Sequence, residues 1–329
     1  MYQRFTIYTL LTTLLIAFST LLSAQTEFYP EEMIVSASAL KLRSAPNTTN
    51  SMTIETLQRG TTVKVLGVHN NGEMVEVNEE YAPWYKVESS TGKIGYAFGA
   101  YLKGTYFLWY EDEPIDGNLP PLNWYGLYRR DSFADEIRKI EVRVKKEYSE
   151  MYEAEVEILK TNQKDTSKFI IGTTKILKTG YAGPLGIMDS PGWFFEGGLN
   201  PGAMLPISTG QSPNDTTYGE TYFLAATGCA SLKDNFVQIT GYKVQLMEMY
   251  SDNGTGKSQD LTPWFQYMPD MNPSVQLLWY GDLDQDKLPD ALIHDCPIEM
   301  ACRTSLFLSS QAKKGEILRK VCEHFWYGD

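Results

Sequence analysis

Residues 281–290 read Gly281-Asp-Leu-Asp-Gln-Asp-Lys-Leu-Pro-Asp290, with aspartates at every second position from 282 to 286 and a fourth aspartate at the end. Apolar and aromatic residues stand on both sides, as Gln276-Leu-Leu-Trp-Tyr280 before it and Ala291-Leu-Ile-His294 after it. Short apolar runs separated by a polar segment with proline are typical of two strands joined by a turn. The stretch therefore predicts a pair of strands with an acidic loop at its tip.

The spacing of the aspartates matches that of a calcium loop. Such a loop offers carboxylates at positions one, three and five and a backbone carbonyl at position seven. Those positions, with position nine, hold Asp282, Asp284, Asp286, Leu288 and Asp290. An EF-hand is excluded, because it needs glycine at position six and glutamate at position twelve, where this chain has Lys287 and Ile293.

The loop instead resembles the aspartate-rich loops between strands of FG-GAP and VCBS-type extracellular repeats, and the resemblance implies that Asp290 takes the last ligand role. Lys287 stands where the calcium-loop pattern has glycine. A left-handed turn at this position strains any side chain with a Cβ. Carboxylates this close repel one another unless a cation lies among them. We therefore expect a calcium ion with a structural role, and the alternative is a solvated acidic turn.

The rest of the second half predicts further strands. Residues 139–145 and 152–159 alternate between polar and apolar side chains, as strands with one buried face do. We expect residues 131–329 to form an all-β domain, either an antiparallel β-sandwich or a partly open barrel. Residues 131–136 are expected to hold one helical turn capped by Asp131. Residues 105–130 contain a stretch broken by Pro and Gly between aromatic runs, which predicts a packed linker.

Residues 33–104 predict a small barrel of short strands punctuated by turn residues. The residues that mark it are Leu40-Lys-Leu-Arg-Ser-Ala-Pro46, Leu57-Gln-Arg-Gly60, Trp84-Tyr-Lys-Val87, Gly92-Lys-Ile-Gly-Tyr96 and Ala100-Tyr-Leu102. In order and spacing this module resembles the bacterial SH3-type domain. The resemblance implies an SH3-like barrel that binds a peptide or a peptidoglycan element.

Four aromatic residues are the candidate ligand-binding residues of this module. If Val87 points into the barrel core, strand parity places Trp84 on the opposite face, towards solvent. Flat aromatic rings suit an extended peptide or a sugar. The predicted groove is formed by Tyr81, Trp84, Phe98 and Tyr101. The alternative is that these rings only close the ends of a barrel that docks on the second domain.

The N-terminus and the charge predict where the protein works. Arg4, an uncharged apolar run over residues 7–22 and the small residues Ser23 and Ala24 have the order of a signal peptide covering residues 1–24. We expect an exported protein, periplasmic or extracellular, with no integral membrane segment after signal cleavage. Its net charge of −12 disfavours nucleic acid and anionic lipid as partners, because both require basic patches.

The four cysteines are an even number, which permits disulfides in an oxidising compartment. Cys296 with Cys302 closes a short loop, which leaves Cys229 with Cys322 by elimination; the alternative is buried free thiols. Cys229 and His294 are the candidate nucleophile and base of a cell-wall cysteine peptidase, but Cys229 follows a strand-like run where those enzymes start a helix. We therefore expect no enzyme; the alternatives are a cell-wall hydrolase or its accessory, and a structural envelope protein without a small ligand.

Overall fold

The computed structural model is built almost entirely from antiparallel β-strands, and no α-helix occurs among the residues it describes. No helix in this part of the chain is long and apolar enough to cross a membrane. The predicted signal peptide lies outside the described residues. These are residues 31–78, 80–111, 113–115, 119–131, 134–150, 153–184, 198–208, 221–233, 236–248, 256–265, 275–298 and 301–327.

The first module is a curled sheet with the strand order β3-β2-β8-β7-β4-β1-β9. All of these strands contribute to one apolar core, in which Leu42, Val63 and Val87 are buried. A separate hairpin, β5–β6, lies between β4 and β7 in sequence. The strands are β1 Glu32–Val35, β2 Ala39–Arg43, β3 Thr53–Gln58, β4 Thr62–Val68, β5 Val75–Val77, β6 Glu80–Ala82, β7 Trp84–Glu88, β8 Ile94–Phe98 and β9 Leu102–Gly104, with short 3-10 turns at His69–Gly72 and Gly99–Tyr101.

Among its described residues, the second unit consists of three sheets and one hairpin. The five-stranded sheet has the order β10-β15-β11-β12-β16, the central sheet β21-β22-β23-β24 and the outer sheet β17-β18-β19-β20, while β13 pairs with β14. The strands are β10 Tyr106–Trp109, β11 Asn123–Arg129, β12 Ala134–Ile140, β13 Val142–Ser149, β14 Ala154–Thr161, β15 Phe169–Thr173, β16 Gly180–Pro184, β17 Met204–Ser208, β18 Thr221–Lys233, β19 Phe236–Glu248, β20 Ser258–Asp260, β21 Val275–Gly281, β22 Asp290–Ile298, β23 Ala301–Leu308 and β24 Arg319–Tyr327, with a 3-10 turn at Thr262–Trp264.

The central sheet is buried on both faces. On β22, Leu292 packs into a core shared with the five-stranded sheet, whereas its neighbours Ala291 and Ile293 pack into a core shared with the outer sheet. The other face of the five-stranded sheet is covered by the β13–β14 hairpin, through residues such as Trp124 and Leu159. Since successive side chains of a strand point to opposite faces, a strand buried on both sides becomes a continuous apolar run. The predicted all-β architecture is confirmed as a layered sandwich.

Two local predictions were wrong. Residues 105–130, predicted as a packed linker, contribute β10 and β11 to the five-stranded sheet. The helical turn predicted over residues 131–136 does not hold from Ala134 onwards, where β12 begins and pairs with β11. In both places, strand pairing outweighs the local turn signals.

One of the two predicted disulfides is present. Cys296 and Cys302 are bonded across β22 and β23, which confirms the short loop. The pairing of Cys229 with Cys322 was wrong: Cys229 is exposed on β18 of the outer sheet, and Cys322 is buried where the central sheet meets the five-stranded sheet. The alternative of a buried free thiol holds for Cys322, whereas Cys229 is free but exposed.

The barrel meets the second unit through ionic contacts. The Glu31 carboxylate pairs with Lys313 and lies 3.6 Å from the guanidinium of Arg319. In addition, the Arg59 guanidinium donates a 2.9 Å hydrogen bond to the carbonyl of Leu119. A cavity of about 250 Å³ at this contact is lined by residues of both parts of the chain.

Candidate metal centre

The acidic loop joins β21 to β22, as its flanking strands predict. The Asp282 carboxylate shapes it by accepting backbone hydrogen bonds from Asp286 at 3.0 Å and from Lys287 at 2.9 Å. Gln285 and Lys287 both adopt left-handed backbone conformations, with φ of 60° and 75°. The strained turn expected at Lys287 is therefore present, and the hydrogen bonds to Asp282 offset its cost.

Three carboxylates of the loop converge. Asp282, Asp284 and Asp290 each place one oxygen within 4.8 Å of the others. Asp290 is fully buried, and a buried oxygen of Asp284, Oδ1, has no hydrogen-bond partner. Converging hard oxygens with unused acceptor capacity are what Ca²⁺ needs from a protein.

The other two predicted ligands lie differently. The Asp286 carboxylate accepts a 2.8 Å hydrogen bond from the Leu288 amide and a 3.0 Å hydrogen bond from the Ser309 hydroxyl. Asp286 is not one of the three converging carboxylates, although it is close enough to raise the pKa of Asp282 and Asp284 by repulsion. Its ligand role, and that of the Leu288 carbonyl, remain predictions.

Two serines that the sequence did not single out complete the surroundings of the carboxylates. The Ser309 amide donates to Asp290 Oδ1 at 2.9 Å. The Ser309 hydroxyl lies 3.0 Å from the same oxygen, so its one proton is shared between Asp290 and Asp286. The Ser310 hydroxyl donates to Asp284. The Leu283 amide donates to Asp290 Oδ2 at 2.7 Å. These donors orient the carboxylates, as groups around a metal site do. Both serines follow β23, and no local pattern links that position to the loop.

The electrostatics of the site favour a cation. Burial raises the pKa of Asp282 to about 6, and repulsion from Asp286 and Asp284 adds to the effect. Burial also raises the pKa of Asp284 and, more strongly, that of Asp290. A raised carboxyl pKa means that the folded protein disfavours the charged form. A divalent cation among the carboxylates would remove that cost.

The loop is fastened to the edge of the five-stranded sheet. The Asp282 amide donates a 2.6 Å hydrogen bond to the Ala182 carbonyl in β16. A Cβ on Gly281 would collide with that same carbonyl oxygen, and one on Gly183 would lie 2.7 Å from the Gly281 Cα. The two glycines therefore allow the close approach of β16 to the loop.

The four aromatic residues predicted to form a groove are divided between two environments. Trp84 is only 3% exposed, and its ring lies 5.4 Å from that of Phe98, which in turn lies 5.9 Å from that of Tyr101. Tyr81 is 63% exposed and donates a 2.6 Å hydrogen bond to Glu76. The prediction that Trp84 faces solvent was wrong.

Trp84 and Val87 do lie on opposite faces of β7, as strand parity predicts, because they belong to different apolar clusters. The far side of β7, however, is covered by the β5–β6 hairpin, whose Val75, Val77 and Ala82 pack against Trp84 and Phe98. Apolar cover of this kind makes the cluster a second small core. Tyr81 is the member of the predicted set that is presented to solvent.

The candidate nucleophile and base of an enzyme lie on different sheets. Cys229 is exposed on β18 of the outer sheet. His294 is buried on β22 of the central sheet, where its ring nitrogens lie 3.1 Å from the Thr304 hydroxyl and 3.5 Å from the Cys296 sulfur.

The strand order of the first module, and the main core to which all seven strands of its sheet contribute, define a small SH3-type β-barrel. Residues 38–103 match the family model of the bacterial SH3 domain, and this part of the chain is such a domain. The match lies within the predicted module of residues 33–104 and leaves the second unit outside it. No curated protein and no solved structure matches the chain significantly.

Proposed function

We propose that this chain is an exported, non-enzymatic binding protein. Its SH3 domain binds a peptide or a peptidoglycan element, and its second unit is stabilised by a structural calcium ion. The observation that carries the proposal is the bacterial SH3 domain at residues 38–103, because such domains commonly serve as binding modules in proteins of the cell wall.

The exposed ring of Tyr81 is the best candidate for a ligand contact. It lies on β6, at the edge of the hairpin that covers Trp84. Its hydroxyl is held by Glu76 in the neighbouring strand, so the ring is oriented before a ligand arrives. A tyrosine held in this way offers a flat apolar face at little cost in conformational entropy.

A sedimentation assay with purified peptidoglycan tests this proposal. We expect the wild-type protein to pellet with peptidoglycan and Tyr81→Ala to bind about tenfold more weakly, since interface tyrosines often contribute more than about 1 kcal/mol. Tyr148→Ala is the matched control, because Tyr148 is 65% exposed but lies on β13 of the second unit.

The outcomes of that assay separate the alternatives. Wild-type protein that stays in the supernatant argues against wall binding and favours a structural envelope protein without a small ligand. Normal binding by Tyr81→Ala removes this residue from the interface. Release of soluble peptidoglycan fragments by the wild-type protein would favour a hydrolase, and its loss in Cys229→Ser would assign the nucleophile.

In the second unit, Asp282, Asp284 and Asp290 would hold the calcium ion. Bound calcium supplies positive charge that neutralises their carboxylates. Ser309, Ser310 and the Leu283 amide keep these carboxylates in place through the hydrogen bonds described above. The loop contains no group positioned as a nucleophile, so the role we propose for the ion is structural.

A further inference from the structure

A second cluster of metal-ligating side chains lies on the central sheet, apart from the acidic loop. His294 and Cys296 on β22 face Cys302 on β23, and one ligand atom of each lies within 4.8 Å of the other two. The two sulfurs are joined in a disulfide. We propose that reduction of this disulfide creates a zinc site formed by His294, Cys296 and Cys302.

The reduction of the disulfide requires an external thiol, which supplies the electrons and protons. Two thiols of the reductant are oxidised to a disulfide, and their two electrons and two protons convert the Cys296–Cys302 bond into two thiols. Zinc then binds both sulfurs as thiolates, and two protons are released to solvent. Two thiolates and one imidazole are a ligand set that zinc accepts, with the fourth position left to water.

His294 is arranged as a zinc ligand in advance. Its Nε2 faces Cys296 at 3.5 Å, while its Nδ1 lies 3.1 Å from the Thr304 hydroxyl. A hydrogen bond to the nitrogen that does not bind the metal is the usual support of a metal-binding histidine.

The strands that carry the ligands stay joined after reduction. Asp295 and Arg303 are directly opposite each other on β22 and β23, and their side chains form two hydrogen bonds of 2.8 and 2.9 Å. Asp295 is fully buried. The ladder from Ala291 to Asp295 fixes the register on one side of Cys296, and the pairing of Ile298 with Ala301 closes the irregular segment that carries it. The two thiols therefore remain beside His294 when the sulfur–sulfur bond is broken.

The two clusters differ in the metals that they favour. The acidic loop presents carboxylate oxygens, which suit Ca²⁺, whereas thiolates and imidazole suit Zn²⁺. Saturation of the acidic loop with calcium would therefore leave the sulfur site open to zinc. This difference allows the second site to be measured alone.

Zinc titration of reduced and oxidised protein, with excess calcium and a competing chromophoric chelator, tests the inference. The full chain carries Cys229→Ser, which removes the exposed thiol. We expect the reduced chain to take about one zinc ion from the chelator and the oxidised chain to take none. In the reduced state, His294→Gln should lower zinc affinity at least tenfold, and Thr304→Val about 10- to 100-fold. A thiolate-to-metal charge-transfer band with cobalt should appear only after reduction.

Two variants keep the test interpretable if one fails to fold. Cys296→Ser with Cys302→Ser removes the ligands and the disulfide together, whereas His294→Gln leaves the disulfide available to stabilise the oxidised protein. Equal zinc affinity in the two redox states would overturn the inference. Unchanged zinc affinity in reduced His294→Gln would also overturn it, if the circular dichroism spectrum of that variant is the same as that of the wild type.

Discussion

Asp284→Asn is the sharpest perturbation of the acidic loop, because it predicts two opposite effects. Without calcium, the variant should be more stable than the wild type. Two unit charges no more than 4.8 Å apart repel by at least about 3 kcal/mol at an effective dielectric of 20. Solvent reaches Asp284 in part, so we expect a gain of about 1–3 kcal/mol in the free energy of unfolding.

With calcium, the same variant should lose its response to the ion. An ion at 100 times its dissociation constant stabilises the wild-type fold by about 2.7 kcal/mol. For a unit of this size that corresponds to an increase of about 5–10 °C in the midpoint of thermal unfolding. Asp284→Asn removes one of the three converging carboxylates and should show little of this increase.

The assay is thermal unfolding followed by circular dichroism, with calcium and with a chelator. Glu155→Gln is the control for loss of one negative charge, because Glu155 is an exposed residue of β14; it should respond to calcium as the wild type does. If the midpoint of thermal unfolding of the wild type is the same with calcium and with a chelator, the calcium site is refuted. Asp284→Asn that is less stable than the wild type in chelator would refute the reasoning from repulsion.

Three further predictions concern stability. Trp84→Ala should destabilise the barrel by about 3–5 kcal/mol, whereas Tyr81→Ala should change its stability by less than about 0.5 kcal/mol. Urea unfolding measures both values. Equal losses of stability would contradict the burial of Trp84. The calcium-free protein should become more stable as the pH falls from 7 towards 4. Burial raises the pKa of Asp282 from 3.8 to about 6, so in this pH range the folded state holds a proton that the unfolded state lacks. Denaturant titrations at pH 7 and 5 measure the change in the free energy of unfolding, and a lower value at pH 5 would contradict the prediction. Asp135→Asn should cost about 3–5 kcal/mol, because it removes the partner of the largely buried Lys168; replacing Lys168 by Met in the same chain should recover part of the loss, and no recovery would contradict this reason.

The sequence predicted the SH3 domain well because its signals are local. Turns at Gly60 and Gly92 have positive φ, as their positions between short strands require. The environment of Trp84 was not predictable in the same way. Parity gives the face of a strand, but whether that face meets water depends on the β5–β6 hairpin, and no periodicity shows where a hairpin packs.

The same distinction applies to the second unit. The acidic loop was recognisable because its aspartates fall within nine residues, whereas Ser309 and Ser310 reach it from the far end of β23. The Cys296–Cys302 disulfide closes a short loop and was predicted. Cys229 and Cys322 lie in different layers and are not bonded, and the layer order that separates them cannot be read from spacing.

The position of the acidic loop explains why an ion there would act on the fold rather than on recognition. The Asp282 amide is bonded to Ala182 at the edge of the five-stranded sheet, and Asp290 is bonded to Ser309 at the end of β23. The carboxylates therefore lie where the five-stranded and central sheets meet, next to the core that contains Leu283. A cation bound by these side chains would lower the repulsion that opposes this contact. The exposed ring of Tyr81, in contrast, belongs to the barrel, whose core consists of its own residues. A ligand at Tyr81 and an ion at the loop would thus stabilise different parts of the chain.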